Sequence, residues 1–154
     1  SFFITHSISY LGKISRYEFV KIAFFAKSEA DTFFYKLYED EDFKVFLDLS
    51  PTSYGHALII PKEHYKNLFE LDDTIASKAL VLAKKVGAAM MNTLHCDGLN
   101  VLQNNGEAAG QTMFHFHIHL IPRYKNDDTK IIFAENSLTE EDAKKIIDLI
   151  TKDL

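Results

Sequence analysis

Cysteine is nearly absent from this chain: Cys96 stands alone among 154 residues. A lone thiol cannot close an internal disulfide or build a cysteine metal cage within one chain. A reducing, cytoplasmic setting is the expectation that follows. Tryptophan is missing altogether. Positive charge is in deficit as well, with 17 Lys and Arg against 22 Asp and Glu. That balance argues against gripping DNA or RNA, whose phosphate backbone takes clustered Lys and Arg, so no nucleic-acid partner is expected. A small anionic ligand stays open, because local chemistry overrules net charge. No apolar run approaches the roughly 20 residues that cross a membrane as a helix, so no membrane partner is expected. Residues 1–11 hold Phe2, Phe3 and Ile4 but are broken by His6, Ser7 and Ser9. They do not read as a signal peptide. No repeat, low-complexity tract or linker divides the chain, and its length suits one domain.

Phenylalanine, by contrast, is abundant, with 13 copies, which suits a compact core or an apolar pocket. Residues 13–30, with Ile14, Tyr17 and Phe24, suggest a helix. Residues 34–39 and 43–49 read as two strands around the acidic turn 39–42, with partial period-two alternation at Tyr35, Leu37, Val45 and Leu47. Pro51 and Gly55 mark a turn before a short buried strand over residues 56–61, which Pro61 ends. Asp72 or Asp73 caps the clearest helix, where Ile75, Ala79, Leu82, Val86, Met90 and Leu94 recur at steps of three and four. Gly98 offers a stop. Residues 98–103 read as a strand, 104–111 as a glycine-containing loop, 113–121 as a strand closed by Pro122, and 129–134 as a possible further strand. A capping box at Thr139 opens a last helix with Ala143, Ile146, Ile147 and Ile150 on one stripe. Adjacent strand runs interrupted once by a long helix predict an α+β domain with a mostly antiparallel sheet.

His115, His117 and His119 alternate with Phe116, Ile118 and Leu120. On a strand, alternation sends three imidazoles to one face and anchors the other in the core. The preceding loop carries Asn104, Gly106, Gly110, Gln111 and Thr112, and its backbone amides suit an anion-binding nest. Imidazoles beside such a nest suggest phosphate chemistry, with one ring as nucleophile and others handling protons. Alternating histidines also suit a metal, so spacing alone leaves both readings open. Asp48 has a plain alternative as a turn acceptor, His56 as a hydrogen-bonded strand residue and Asn104 as a turn former. His64 and His95 read as surface or packing residues.

The run from His115 to Ile121 resembles the signature of the histidine-triad (HIT) family. Tyr38-Glu39-Asp40-Glu41, Phe46-Leu47-Asp48, Gly55 through His64, and Asn104-Asn105-Gly106 resemble the same family, in order and at fitting separations. The likeness covers residues 27–125 and is closest to Hint-type prokaryotic members. It implies a central antiparallel sheet of about five strands, one long helix, a C-terminal helix, and a homodimer formed through the long helix. A division into an extension over 1–26 and a domain over 27–154 follows.

By resemblance, His117 is the nucleophile that forms a nucleotidyl-histidine intermediate, oriented by the carbonyl of His115. His119 and His56 contact phosphate and relay protons. Asp48 accepts from the ribose hydroxyls, with Phe46 and Leu49 near the base. Asn104, Gly110, Gln111 and Thr112 contact phosphate, although Thr112 stands where serine is usual. The implied activity releases a purine nucleoside monophosphate, AMP above all, from a phosphoramidate-type leaving group. Dinucleoside polyphosphate hydrolysis is the alternative within the fold. A nucleotide-binding partner protein with little turnover and a His-rich metal protein are the alternatives outside it. Many prokaryotic relatives hold a structural zinc with a Cys-x-x-Cys pair and two histidines. Here Ile22 and Phe25 fall near the cysteine positions while His64 and His115 keep the histidine ones. Neither a bound zinc nor any other cofactor is therefore expected.

Overall fold

The computed structural model describes residues 35–154. The extension over 1–26, the helix over 13–30, and Ile22 and Phe25 lie outside the described residues. Within them run β1 (Lys36–Glu39), β2 (Phe43–Leu47), β3 (Ala57–Pro61), α1 (Asp73–Thr93), β4 (Gly98–Leu102), β5 (Ile118–Arg123) and α2 (Glu140–Ile150). The strands form one sheet in the order β1-β2-β3-β5-β4, and every neighbouring pair is antiparallel. This is the expected α+β architecture: five antiparallel strands, a long helix and a C-terminal helix.

Period and capping chemistry explain α1. Asp72 Oδ1 accepts from the N–H groups of Thr74 and Ile75 at 2.9 and 3.1 Å, a cap that stabilises by about 1 kcal/mol. The stripe Ala79, Leu82, Val86 and Met90 is buried against Phe43, Val45, Ala57, Ile59, Phe116, Ile118 and Leu120, with Ile75 and Leu94 at its margins. At Gly87 the helix comes so close to β4 that a Cβ would lie 2.6 Å from Leu99 Cδ2. One face of the sheet is thereby closed by α1. The other face carries a cross-strand row, because Phe46 pairs with Leu58, Leu58 with His119, and His119 with Leu102. That second face holds the site.

Four local readings are corrected. Gly98 does not stop α1; it opens β4, and His95 (φ +53°) makes the left-handed turn after the Leu94 cap. The last strand begins at Ile118 rather than residue 113 and runs through Pro122 to Arg123. Proline is tolerated there because β3 pairing ends at Leu120, so no ladder bond on that side is left unmade. Residues 127–139 contain no strand. Finally, α2 forms where expected, with Thr139 Oγ1 accepting from Asp142 N–H at 3.1 Å, but its stripe is open: Ile146, Ile147 and Ile150 are all exposed. Among the described residues no helix is long and apolar enough to cross a membrane.

Candidate active site

The segment ahead of β5 is held by other means than a ladder. Phe116 N–H donates to the Tyr65 carbonyl at 2.7 Å, and Phe116 is buried with Ile118 and Leu120. The intervening positions His117 and His119 therefore turn to the open face, with ring centroids 4.8 Å apart. His56, one residue before β3, brings its ring to 5.2 Å from that of His119. The expectation of three imidazoles on one strip is corrected to two. The His115 ring turns aside, its Nε2 3.0 Å from the Pro61 carbonyl and its Nδ1 2.8 Å from Nδ1 of His64.

Hydrogen-bond partners fix where the protons sit. His117 Nδ1 lies 2.8 Å from the carbonyl oxygen of His115. A carbonyl only accepts, so His117 carries its proton on Nδ1 and keeps a lone pair on Nε2. Thr52 N–H donates to His56 Nδ1 at 3.2 Å, which places the neutral His56 proton on Nε2. That N–H points at His119 Nδ1, 2.9 Å away, and leaves His119 with a proton on Nε2. One ring is thus prepared to attack and its neighbour to donate. His115 is pushed down to about 4 by burial, with the charges of His64 and His117 adding to the effect and the Pro61 bond opposing it. A neutral His115 donates from Nε2 to Pro61 and accepts at Nδ1 from His64.

A cavity of about 300 Å³ opens on this face, lined by His117, His119, Asp48, Asn104, Gly110 and Thr112 among others. The volume lies at the lower end for small-molecule sites, about 300–1,000 Å³. Asp48 is buried; its Oδ1 accepts from Ser50 N–H at 2.8 Å and its Oδ2 lies 3.7 Å from His56 Nε2. The carboxylate thus serves a turn and still lines the cavity. Phe46 is buried beside Leu58 in the cross-strand row and Leu49 is exposed beyond β2; neither lines the cavity. Its apolar wall includes Leu58, Leu102, Ile121 and Ile131. The register opposite His119 marks Leu58 and Leu102, whereas Thr129, Lys130 and Ile131 read only as part of a strand over 129–134, which does not form.

Four amides of the glycine loop are engaged within the loop itself. Gly110 N–H donates to Glu107 O, Ala109 N–H and Gln111 N–H to Gly106 O, and Gly106 N–H to Gln111 Oε1. Gln111 is buried, and its Nε2 donates to the Lys66 and Met113 carbonyls at 2.7 and 3.1 Å. It braces the loop rather than reaching the cavity. Thr112 and Asn104 remain at the wall, with Asn104 Nδ2 a long 3.5 Å from Gly110 O.

Two places bear on metals. Asp48, His56 and His119 each bring one ligand atom within 4.8 Å of the others, a group that can hold an ion. The zinc corner of the relatives is different. Ligand nitrogens around tetrahedral zinc sit about 3.3 Å apart given Zn–N distances of about 2.05 Å. The facing His64 and His115 nitrogens are 2.8 Å apart and share a proton. Cys96 is buried elsewhere, against Met90 and Met91. These imidazoles do not fit a closed zinc site.

The model of the HIT domain matches residues 28–126, and the chain belongs to that family. Adenosine 5'-monophosphoramidase HNT1 of Saccharomyces cerevisiae is 45% identical over 97 residues, covering 63% of this chain and 58% of that protein. Adenylylsulfatase HINT3 of Arabidopsis thaliana is 40% identical over 109 residues, covering 71% and 54%. The chain spans little more than half the length of either relative. A crystal structure of a HIT family member from Bacillus subtilis superposes with a TM-score of 0.73 at 39% identity, covering 77% of this chain and 86% of that one.

Proposed function

We propose that this chain hydrolyses a purine nucleoside monophosphate, AMP above all, from a phosphoramidate-type leaving group through a nucleotidyl-His117 intermediate. The observation that carries the reading is the 2.8 Å bond from His117 Nδ1 to the His115 carbonyl. It puts the proton on Nδ1 and makes Nε2, the lone-pair nitrogen of a cavity-lining ring, the attacking atom. Nε2 bonds to phosphorus while the bond from phosphorus to the leaving nitrogen breaks, its electron pair departing with the amine. The amine takes up a proton, and water then attacks phosphorus and releases one as the P–Nε2 bond breaks. The His119 Nε2–H and Thr112 hydroxyl donate to the phosphate oxygens as charge builds, and Asp48 accepts from the ribose diol. The activities that name the yeast and plant relatives, both on adenylate compounds, support the same class.

Brief incubation with adenosine phosphoramidate, then acid quench and peptide mass spectrometry, gives an adenylate mass on the peptide holding His117. An unmodified His117 peptide during active turnover overturns the mechanism. Zinc bound stoichiometrically by Asp48, His56 and His119, with no turnover, favours the metal protein instead; that triad's geometry is what earns it a test.

Pairing into a homodimer is proposed on α1 and β4. Among the described residues β4 is an edge strand of the sheet, and it lies beside a groove of about 570 Å³ lined by Leu80, Val81, Met91 and Val101, all exposed in one chain. Sedimentation at micromolar concentration gives twice the chain mass, and Val81→Asp, a charge in the groove, gives the single mass with retained circular dichroism. A monomeric wild type overturns the pairing.

A further inference from the structure

Just past residues 28–126 that match the family, a single carboxylate gathers a short segment into one piece. Asp127 accepts from Arg123 Nε and Nη2 at 2.9 and 3.0 Å, from Tyr124 N–H at 2.8 Å and from Thr129 N–H at 3.2 Å. Arg123 ends β5 and donates from Nη1 to Asn100 of β4, so the segment is fixed to two neighbouring strands. Gathered in this way, two hydroxyls reach the turn that precedes β3. Tyr124 Oη donates to the Tyr54 carbonyl at 2.9 Å, and Thr129 Oγ1 donates to the Thr52 carbonyl at 2.6 Å. The turn is clamped at two of its carbonyls.

Thr52 matters to the site because its own N–H donates to His56 Nδ1 at 3.2 Å. A main-chain amide donates and never accepts, so this bond gives the next ones their direction. His56 carries its proton on Nε2 and points it at His119 Nδ1, 2.9 Å away. His119, a cavity-lining ring, then carries its own proton on Nε2. Three donors form a chain with one sense. If the Thr52 amide withdraws, the His56 and His119 protons can reverse together, leaving His119 a lone pair where the transferring phosphate needs a donor. Asp48 Oδ2, 3.7 Å from His56 Nε2, favours the same sense from beyond hydrogen-bond distance. Withdrawal therefore weakens the preference rather than inverting it. Resting on the proposed nucleotidyl transfer, we infer that Asp127 and Thr129 are positioning residues that act through the Thr52 main chain. They set the sense of the proton chain that ends at His119. Thr129 also lines the cavity, so contact with a ligand has to be separated from positioning.

Long-range nitrogen–proton NMR spectra of the ligand-free protein at about pH 8, where imidazoles are neutral, report each tautomer directly. In the wild type, His56 and His119 both show a protonated Nε2 and a bare Nδ1. Thr129→Val keeps the branched shape and the N–H bond to Asp127 but loses the hydroxyl. It moves His56 and His119 together toward a mixture of tautomers, and Thr129→Ser restores them. His117 keeps its Nδ1 proton throughout, because the His115 carbonyl holds it. Asp127→Ala frees both hydroxyls and moves the pair further. Tyr124 does not line the cavity, yet Tyr124→Phe shifts the pair in the same direction, which ligand contact does not explain. With adenosine phosphoramidate, Thr129→Val lowers kcat about fivefold, the scale of one net hydrogen bond, and leaves KM nearly unchanged. Unaltered His56 and His119 signals, or equal movement at His117, overturn the clamp whether or not the wild type turns over. Altered signals with undiminished turnover leave the clamp standing and count against the part given to His119 in the transfer.

Discussion

Replacing His117 with alanine abolishes hydrolysis, lowering kcat by a factor on the order of 10⁴ or more, the scale seen when a covalent nucleophile is removed. The fold survives it. The ring lines a cavity rather than the packed core between α1 and the sheet, so thermal unfolding moves by only a few degrees. Kinetics with adenosine phosphoramidate and a calorimetric scan check both halves. His115→Ala makes the necessary contrast, since the carbonyl that orients His117 belongs to the backbone and outlasts the side chain. Activity then falls far less than in the His117 variant, while stability falls more, because the His115 ring is buried against Pro61 and His64. A His117→Ala protein that retains a tenth of wild-type turnover excludes this ring as the attacking group.

How much of this was legible in the sequence depends on which forces leave a periodic trace. The α1 stripe did, because burial against a flat sheet recurs with the helical turn, and Asp72 caps through its own nearest amides. Alternation across Phe116, Ile118 and Leu120 also read correctly as a choice of faces. It misled on strand length, because period two reports the side of the chain that is buried and not the partner of each amide. Phe116 N–H goes to Tyr65 and the His115 carbonyl goes to a side chain, so the ladder starts late. Gly98 looked like a helix stop because glycine is the usual left-handed residue, but His95 took that conformation.

The site was legible where the motif is contiguous and obscure where it depends on distant contacts. His64 read as a packing residue by itself, and its bond to His115 spans 51 positions. Gln111 carried the chemistry of a phosphate donor, yet both polar atoms of its amide are directed to backbone groups, those of Gly106 and Met113 nearby and of Lys66 in a distant segment. Thr52 fell in the turn marked by Pro51 and Gly55, and Lys130 in a strand over 129–134 that does not form; neither was marked as part of the site. Thr52 acts through a main-chain amide, which residue identity does not report, and Lys130 reaches the cavity by an irregular path tied down by Arg123.

Acidification destabilises the fold through His115 before the carboxylates contribute. In the unfolded chain its imidazole titrates at the ordinary 6.5, whereas burial holds the folded value at about 4. Above pH 6.5 the ring is neutral in both states and nothing is lost. Below it, the unfolded chain binds a proton that the native state refuses, so stability falls with pH by up to 1.4 kcal/mol per unit. The loss reaches about 2 kcal/mol at pH 5 and levels off near pH 4. Glu39, held down to about 2 by its bonds to Lys36 and Lys62, and Asp127, held to about 2 by Arg123, lose their partners' benefit as pH falls from their ordinary values of 4.5 and 3.8 toward about 2. The interval from pH 6.5 to 5 therefore separates the imidazoles from these carboxylates, and the comparison with a His115 variant picks out His115. Urea unfolding across that interval gives the slope in the wild type. In His115→Gln, whose amide can still donate to Pro61, the starting stability is lower and the His115 part of the slope is gone. Equal slopes in the two proteins refute a buried, neutral His115, and with it the proton arrangement that pairs it to His64.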